Sequence, residues 1–240
     1  MIITNKIKFI NVKEYWFEEN FNNCILSFKI IRDSRKNINN FFCKKQIKYT
    51  LITDLTLKEE EIFKQFKSNY RNEIRKVNKI ENFKVELNSI NIEEFVEFYN
   101  KFLAKPKNLS FMSERRLSKF KENIVFLVGK LDNQITNIQV YIKDEDKKIV
   151  RLLHSVNLIH LEKVAEKRKN IGFINKYLHW YAIKLFKNKQ YNIFDWGGYG
   201  NDKSNRELVG IDKFKKGFGG EIIEIYDYYS FIIYLLLKVY

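Results

Sequence analysis

A carboxylate with glycines on its heels is the densest chemical signal in the chain. It lies in Tyr191-Asn192-Ile193-Phe194-Asp195-Trp196-Gly197-Gly198-Tyr199-Gly200. Gly210-Ile211-Asp212-Lys213-Phe214-Lys215-Lys216-Gly217-Phe218-Gly219-Gly220 follows closely. The apolar run ending on Asp195 reads as an internal strand. A carboxylate there is either a structural acceptor for nearby backbone N–H groups or a catalytic base. Eight of the nine glycines fall between Gly172 and Gly220, which concentrates unusual backbone in one region. Lys215 stands between Phe214 and Phe218 as a cation in an apolar frame, while Lys213 and Lys216 fit a solvated helix face.

Three further groups could do chemistry. His154 lies in a β-rich run, where strict alternation puts it on one face with Leu152 and Val156: a satisfied core histidine, or a cleft residue. The polar segment Lys167-Arg168-Lys169-Asn170-Ile171-Gly172-Phe173-Ile174-Asn175-Lys176 reads as a loop opening a helix. Free N–H groups and added cations at such a turn suit a pyrophosphate; a solvated basic loop is the alternative. Arg71, Arg75, Lys76 and Lys79 share the outer face of an amphipathic helix, which is solvated or tracks phosphates.

Several chemistries find no support. There is no P-loop pattern, no G-x-G-x-x-G after a strand and no G-x-S-x-G elbow. His154, His160 and His179 lack metal-ligand spacing, and Cys24 and Cys43 form no C-x-x-C, so the expectation is an enzyme without metal, flavin or nicotinamide. The chain has 240 residues, 45% hydrophobic, enough for one large domain with a sizeable core. Its 44 Lys+Arg against 29 Asp+Glu give +15, a field that attracts polyanions. Lysine-, isoleucine- and asparagine-rich composition also follows from AT-rich coding, which discounts the charge as evidence for nucleic acid. The opening residues lack a signal-peptide pattern, and the apolar tail 231–237 is far too short to span a bilayer and fits a buried strand or docking segment. The expectation is a soluble cytoplasmic protein, at most loosely associated with the inner membrane surface.

These groups need a scaffold. Cys24–Ile31 and Gln46–Leu55 read as strands around a polar turn at Asp33–Asn40. Thr56-Leu57-Lys58-Glu59 has capping-box spacing and opens a helix whose apolar face is Ile62, Phe66, Tyr70, Ile74 and Val77. Asn91 starts a second helix, and a short basic helix lies near Glu114–Glu122. Ile124–Leu131, Ile135–Ile142 and Ile149–Val156 form an antiparallel meander. A helix at Ile171–Asn188, a strand at Tyr191–Trp196, a helix at Arg206–Phe218 and a strand at Glu221–Ser230 follow. A crossover helix between two strands implies one parallel pair within a mostly antiparallel, twisted α/β sheet flanked by helices.

Four segments, in this order, resemble the FemAB/FemX-type transferases of the GNAT superfamily over about residues 50–230. Asp54-Leu55-Thr56 with Tyr70-Arg71-Asn72-Glu73-Ile74-Arg75-Lys76 is similar to that group's first helix. Ile174-Asn175-Lys176-Tyr177-Leu178-His179-Trp180-Tyr181-Ala182-Ile183 is similar to its "N-x-x-L-x-W-x-A-I" helix. Phe194-Asp195-Trp196-Gly197-Gly198 resembles "F-D-x-G-G", and Gly210 to Gly220 resembles "G-I-x-x-F-K-x-x-F-G-G". The resemblance implies a GNAT fold at 56–240, with 1–55 a β-rich segment packed on it as a partial second half. It implies an N-acyltransferase moving an acyl group from acyl-CoA to the amine of a nucleotide-linked amino sugar, such as a dTDP-linked amino deoxyhexose of cell-surface polysaccharide synthesis. A FemX-type aminoacyl-tRNA-dependent peptidyltransferase is the alternative; a non-catalytic basic module for nucleic acid or membrane is the second. Under the favoured reading the pantetheine lies where the strand of His154 parts from that of Asp195. Asp195 or His154 handles the proton, Lys215 stabilises charge at the acyl group, and Tyr199 serves as acid to the thiolate. Arg168, Gly172, Asn175 and Lys176 meet the coenzyme's pyrophosphate, and Arg71, Arg75 and Lys107 the acceptor's phosphates. No metal is implied, nucleic acid is expected only under the tRNA alternative, and a homodimer is compatible with the sequence.

Overall fold

The structure, a computed structural model, describes residues 1–7, 9–19, 27–39, 43–102, 111–200 and 206–238. Its strands are β1 (Ile2–Ile7), β2 (Ile10–Trp16), β3 (Lys29–Ser34), β4 (Cys43–Asp54), β5 (Phe83–Leu87), β6 (Ile124–Leu131), β7 (Gln134–Asp144), β8 (Ile149–Asn157), β9 (Ile193–Tyr199) and β10 (Glu221–Ser230). Its helices are α1 (Glu59–Gln65), α2 (Ser68–Lys76), α3 (Ile92–Phe102), α4 (Glu114–Ser118), α5 (Ala165–Asn188), α6 (Arg206–Lys216) and α7 (Phe231–Lys238). All ten strands form one sheet in the order β1-β2-β3-β10-β4-β9-β8-β7-β6-β5. Among the described residues only β2–β3 and β8–β9 pair in parallel, so the sheet is mixed and mostly antiparallel. β4 is an interior strand between β10 and β9, and the sheet runs unbroken across the boundary expected at residue 55.

Alternating apolar residues bury both faces. On one, α1, α2 and α5 cover the centre of the sheet through Ile62, Tyr70, Ile74, Ile174 and Leu178, and Phe214 of α6 with Phe218 just beyond it joins Trp196 of β9 in the same cluster. On the other, α3 and α4 bury Phe95 and Leu117 against Val128, Ile138, Val140 and Val156. The sheet curls, so that β1 and β2 reach back over the same face: Ile3 and Phe17 pack with Ile142 and Ile149, and Asp33 of β3 meets Arg151 of β8 at 2.9 Å. A right-handed twist accumulated over many strands makes this curl the natural outcome.

The meander follows the expected boundaries, and Asp132 and Asn133 take the positive φ that a two-residue hairpin requires. Elsewhere the elements depart from expectation. The helix expected from Thr56 is two helices, because Phe66 and Lys67 are extended and the Lys67 N–H goes to Gly217 O at 2.8 Å. Its capping partner is Glu61, which accepts the Lys58 N–H; Thr56 instead donates to Asp54. The polar run at 165–170 is the first part of α5, not a loop. The first strand pair, β1 and β2, and the edge strand β5 were not expected. The strand expected at Cys24–Ile31 lies at Lys29–Ser34, with 24–26 outside the described residues. The apolar tail is the helix α7 rather than a strand: Ile233 and Leu236 fall on one face and bury against Val12 and Ile30.

Candidate functional site

Strand β8 runs beside β9 for three residue pairs only: Ile149↔Ile193, Val150↔Phe194 and Arg151↔Asp195. Beyond them β8 stays on β7 as far as Asn157↔Asn137. β9 stays on β4 as far as Tyr199↔Tyr49. Two interior strands therefore part while each keeps its outer neighbour. Ser155 on one side and Gly198 on the other are solvent-exposed although both belong to mid-sheet strands. This V-shaped gap is the candidate site.

A β-bulge shapes its β8 wall. Tyr141 pairs with Leu152 and Val140 with His154, leaving Leu153 as the extra residue. A bulge re-aims the side chains that follow it. Leu152 stays in the α5-side core, whereas His154 turns to the opposite face, against Phe95 and Tyr99. Strict alternation had put His154 and Leu152 on one face; the bulge separates them. Burial, with Arg116 adding repulsion, pulls the half-buried His154 down to about 4, so it is a neutral imidazole near neutral pH.

Ser155 turns toward α5. Its Oγ–H donates to Asn175 Oδ1 at 3.2 Å, and His179 Nε2 lies 3.4 Å from the Ser155 Oγ. His179 is fully buried among Trp196, Phe214 and Phe218. Burial, helped by Lys215 and Lys176, pulls it down to about 3. The α5 backbone is held to the sheet by buried amides of β7: Asn137 donates to Ile171 O, and Gln139 to Asn175 O.

Asp195 closes the apex of the V and is 2% exposed. It accepts from Thr50 Oγ1 (2.5 Å), the Gly197 N–H (2.8 Å) and Arg151 Nη1 (2.8 Å). Of the two readings open at the sequence level, this placement fits the structural acceptor. Burial opposes the Arg151 charge, but Asp195 and Asp33 together outweigh it and raise its pKa. Gly197 follows with φ +75, and a Cβ there would sit 2.7 Å from Leu152 O across the gap, so the apex needs glycine. Gly198 differs: nothing lies within 4 Å of its Cβ position. Packing does not demand glycine there, and its exposed backbone faces the open gap.

Lys215 of α6 reaches the same place, its Nζ donating to Gly198 O at 2.6 Å. Burial and the nearby Arg151 charge pull it down to about 8, against the opposing pull of Asp195 and Asp212. The α6 approach is fixed by aromatic packing: Phe218 stacks on Trp196 at 4.5 Å and meets Phe66 and Tyr70 edge-on. Just beyond, Gly220 at φ +82 lets the chain pass against Ile52 O.

The structure thus brings Asp195, Lys215 and Asn175 together, places Tyr199 at the mouth of β9, and sets His154 on the opposite face. The expected pyrophosphate turn is not formed: Arg168, Gly172, Asn175 and Lys176 lie along α5, whose N-terminus is at Ala165, so their N–H groups are inside the helix. Lys176 is tied to Glu73 at 2.6 Å and lies over Tyr70; Arg168 is exposed. Arg71 caps α1 by donating to Lys64 O and Phe66 O, and Arg75 lies over Phe63; neither reaches the V. Lys107 lies outside the described residues. No group of metal-ligating side chains occurs among the described residues. Ser155, His179, Arg151 and Thr50 were not foreseen. Asn175 and His179, four apart on an otherwise apolar stripe, carried the one available signal. Two surface cavities, of about 520 and 480 Å³, open near Gln190 and Asn91 respectively and do not reach the V.

Comparison with known proteins places this geometry. FemX superposes with a TM-score of 0.60 at 12% identity, covering 92% of this chain and 66% of FemX. The fold is FemX-like. The L-PGS structure from Bacillus licheniformis superposes with a TM-score of 0.52 at 14% identity, covering 88% of this chain and 71% of that one. The C-terminal domain of a putative lysylphosphatidylglycerol synthetase from Agrobacterium fabrum gives 0.54 at 12% identity, over 88% and 70%. No protein-family model and no curated protein sequence matches the chain.

Proposed function

We propose that the chain is an acyltransferase that binds an activated acyl donor in the V between β8 and β9 and passes the acyl group to an amine. The observation that carries this reading is the parting of two interior strands after Arg151↔Asp195, with Ser155, Gly198 and Lys215 around the gap. An extended donor arm can lie there and pair with main-chain groups the strands leave unpaired.

In the transfer, a neutral amine attacks the acyl carbonyl, the tetrahedral oxygen gains negative charge, and the C–S or C–O bond to the carrier breaks as the proton given up by the attacking nitrogen passes to the leaving sulfur or oxygen, so that the carrier departs as its thiol or hydroxyl. The Lys215 ammonium is placed to stabilise that oxygen. The Ser155 hydroxyl, oriented by Asn175 and His179, is placed to donate a hydrogen bond to the same oxygen or to the leaving atom. Asp195 acts through Arg151 and the Gly197 N–H, as a positioning residue. His154, with a pKa near 4, is a weak base and packs on the opposite face of the sheet against Phe95 and Tyr99.

Within this reading the donor is an acyl-CoA and the acceptor a nucleotide-linked amino sugar. An aminoacyl-tRNA donor of FemX type is the second reading, and the likeness to FemX and to the lysylphosphatidylglycerol synthetase domain favours it to the same degree. The test presents the full chain with acyl-CoAs and with aminoacyl-tRNAs, each with a panel of amines, and follows carrier release. Acceptor-dependent release from one donor class, lost in Lys215→Met, supports the proposal; no release from either class overturns it.

A further inference from the structure

The end of the sheet at which β8 and β9 part carries a second feature. The register brings five chain segments to that end: Tyr199 beside Tyr49, Ser230 beside Cys43, Tyr229 beside Ile30, Lys13 beside Lys29, and the hairpin of Ile7 and Ile10. The helix α7 leaves β10 here. Its inner residues Ile233 and Leu236 bury against Ile7, Ile10, Val12 and Ile30, yet its outer pole is also apolar, with Phe231 53% and Leu235 45% exposed. A helix apolar all round wants a cover on its outer side as well. At eight residues α7 is too short to cross a bilayer, and no helix among the described residues is long and apolar enough to do so. The β1–β2 hairpin, packed on α7 through Ile7 and Ile10, ends in Phe9, which is 94% exposed.

Cations stand at this end of the sheet. Lys44, one pair from the start of β4, lies beside α7 with its Nζ over the Tyr234 ring. Lys6 is one pair from the hairpin tip and Lys13 faces Lys29 at the start of β3; each neighbours a residue packed on α7 (Ile7, Val12 and Ile30), so these three project from the other face of the sheet. Lys6, Lys13 and Lys44 are exposed and pair with no carboxylate among the described residues. An aromatic tip, an apolar helix face and lysines on both faces of this sheet end are what an anionic bilayer surface takes up: the apolar groups enter the headgroup boundary and the lysines meet the lipid charge. A second copy of the chain is a poor cover, because each copy carries +15 and this end of the sheet carries like charges on both faces.

We infer that α7 and the Phe9 hairpin form a docking surface for an anionic lipid bilayer, which holds the mouth of the β8–β9 gap toward the headgroups. The docking does not depend on acyl transfer and is testable without it. The full chain is sedimented with vesicles of phosphatidylcholine alone and of phosphatidylcholine with one-third phosphatidylglycerol, at low and high salt. Binding is expected to the anionic vesicles only, and to fall with salt. Phe9→Ser, at a tip too exposed to affect folding, is expected to weaken it at least several-fold. Phe231→Glu with Leu235→Glu is expected to abolish it, with melting temperature checked in parallel. A Phe9→Trp variant is expected to be quenched by brominated acyl chains. Absence of sedimentation with either vesicle, or equal binding by Phe9→Ser and unquenched Phe9→Trp, overturns the inference. So does a concentration-dependent dimer that Phe231→Glu disrupts while vesicles stay unbound.

Discussion

Arg151 and Asp195 form both the last register pair of β8 and β9 and a buried ion pair, Nη1 to Oδ2 at 2.8 Å. The point at which the strands stop pairing is thus fixed by charge. Asp33, brought over by the curl of the sheet, is the second carboxylate on the same guanidinium, so the N-terminal strands brace the apex of the gap.

Breaking this pair leaves an uncompensated buried charge. Asp195→Ala is expected to cost about 3–5 kcal/mol of stability, read by denaturant unfolding. A loss below about 1 kcal/mol would show that the apex is held by other means.

The two glycines after Asp195 are expected to behave oppositely. Gly197→Ala meets both a positive φ and Leu152 O and is expected to lose about 1–3 kcal/mol through backbone strain alone, and more from the clash. Gly198→Ala has open space and is expected to fold within about 0.5 kcal/mol of the parent. Its methyl group enters the gap, however, so donor binding is expected to fall while melting temperature holds.

Under the proposed function, Lys215 is expected to set the alkaline limit of the reaction. In that role the charged form does the stabilising, and its pKa is about 8, so kcat/KM is expected to fall above that pH. Lys215→Arg keeps its charge and is expected to move the limb upward. Lys215→Met is expected to remove it and to cost about 10²–10³ in rate. Stability runs the other way. Between about 8 and the ordinary 10.5 the unfolded chain binds more protons than the folded one, so the parent gains stability with rising pH relative to Lys215→Met. A flat difference would contradict the burial argument.

His179 gives an acid-side counterpart. With a folded pKa near 3 against an ordinary 6.5, the unfolded chain takes the proton first, so stability is lost as pH falls below about 6.5. His179→Gln is expected to flatten that slope in melts between pH 7 and 4. An unchanged slope would place the acid sensitivity elsewhere, His154 being the first alternative.

Strand order and helix type were largely legible because alternation and 3.6-residue periodicity are local signals, strong in the meander 124–157 and in α5. The parallel pair β8–β9 followed from the crossover helix, whereas the second parallel pair, β2–β3, was not foreseen. What escaped depended on contacts distant in sequence. The Leu153 bulge, which reverses the face of His154, leaves no mark in the residue pattern. The break at Phe66–Lys67 exists because Gly217 takes the Lys67 N–H. The start of α5 at Ala165 was hidden by a polar first turn that reads as loop. At the site, Asp195, Lys215 and Asn175 were visible as residue types in unusual places. Ser155 was not, since an isolated serine in a strand carries no signal until the neighbouring strand departs.

The most direct test of the central claim is a titration of backbone amide NMR signals with non-hydrolysable acyl-CoA and, separately, with an aminoacyl-tRNA acceptor-stem analogue. One of the two donors is expected to shift Ser155, Gly198 and Lys215 first and most, with smaller effects at Asn175 and Tyr199. Shifts confined to other surfaces, or none with either donor at saturating concentration, would contradict a donor site between β8 and β9.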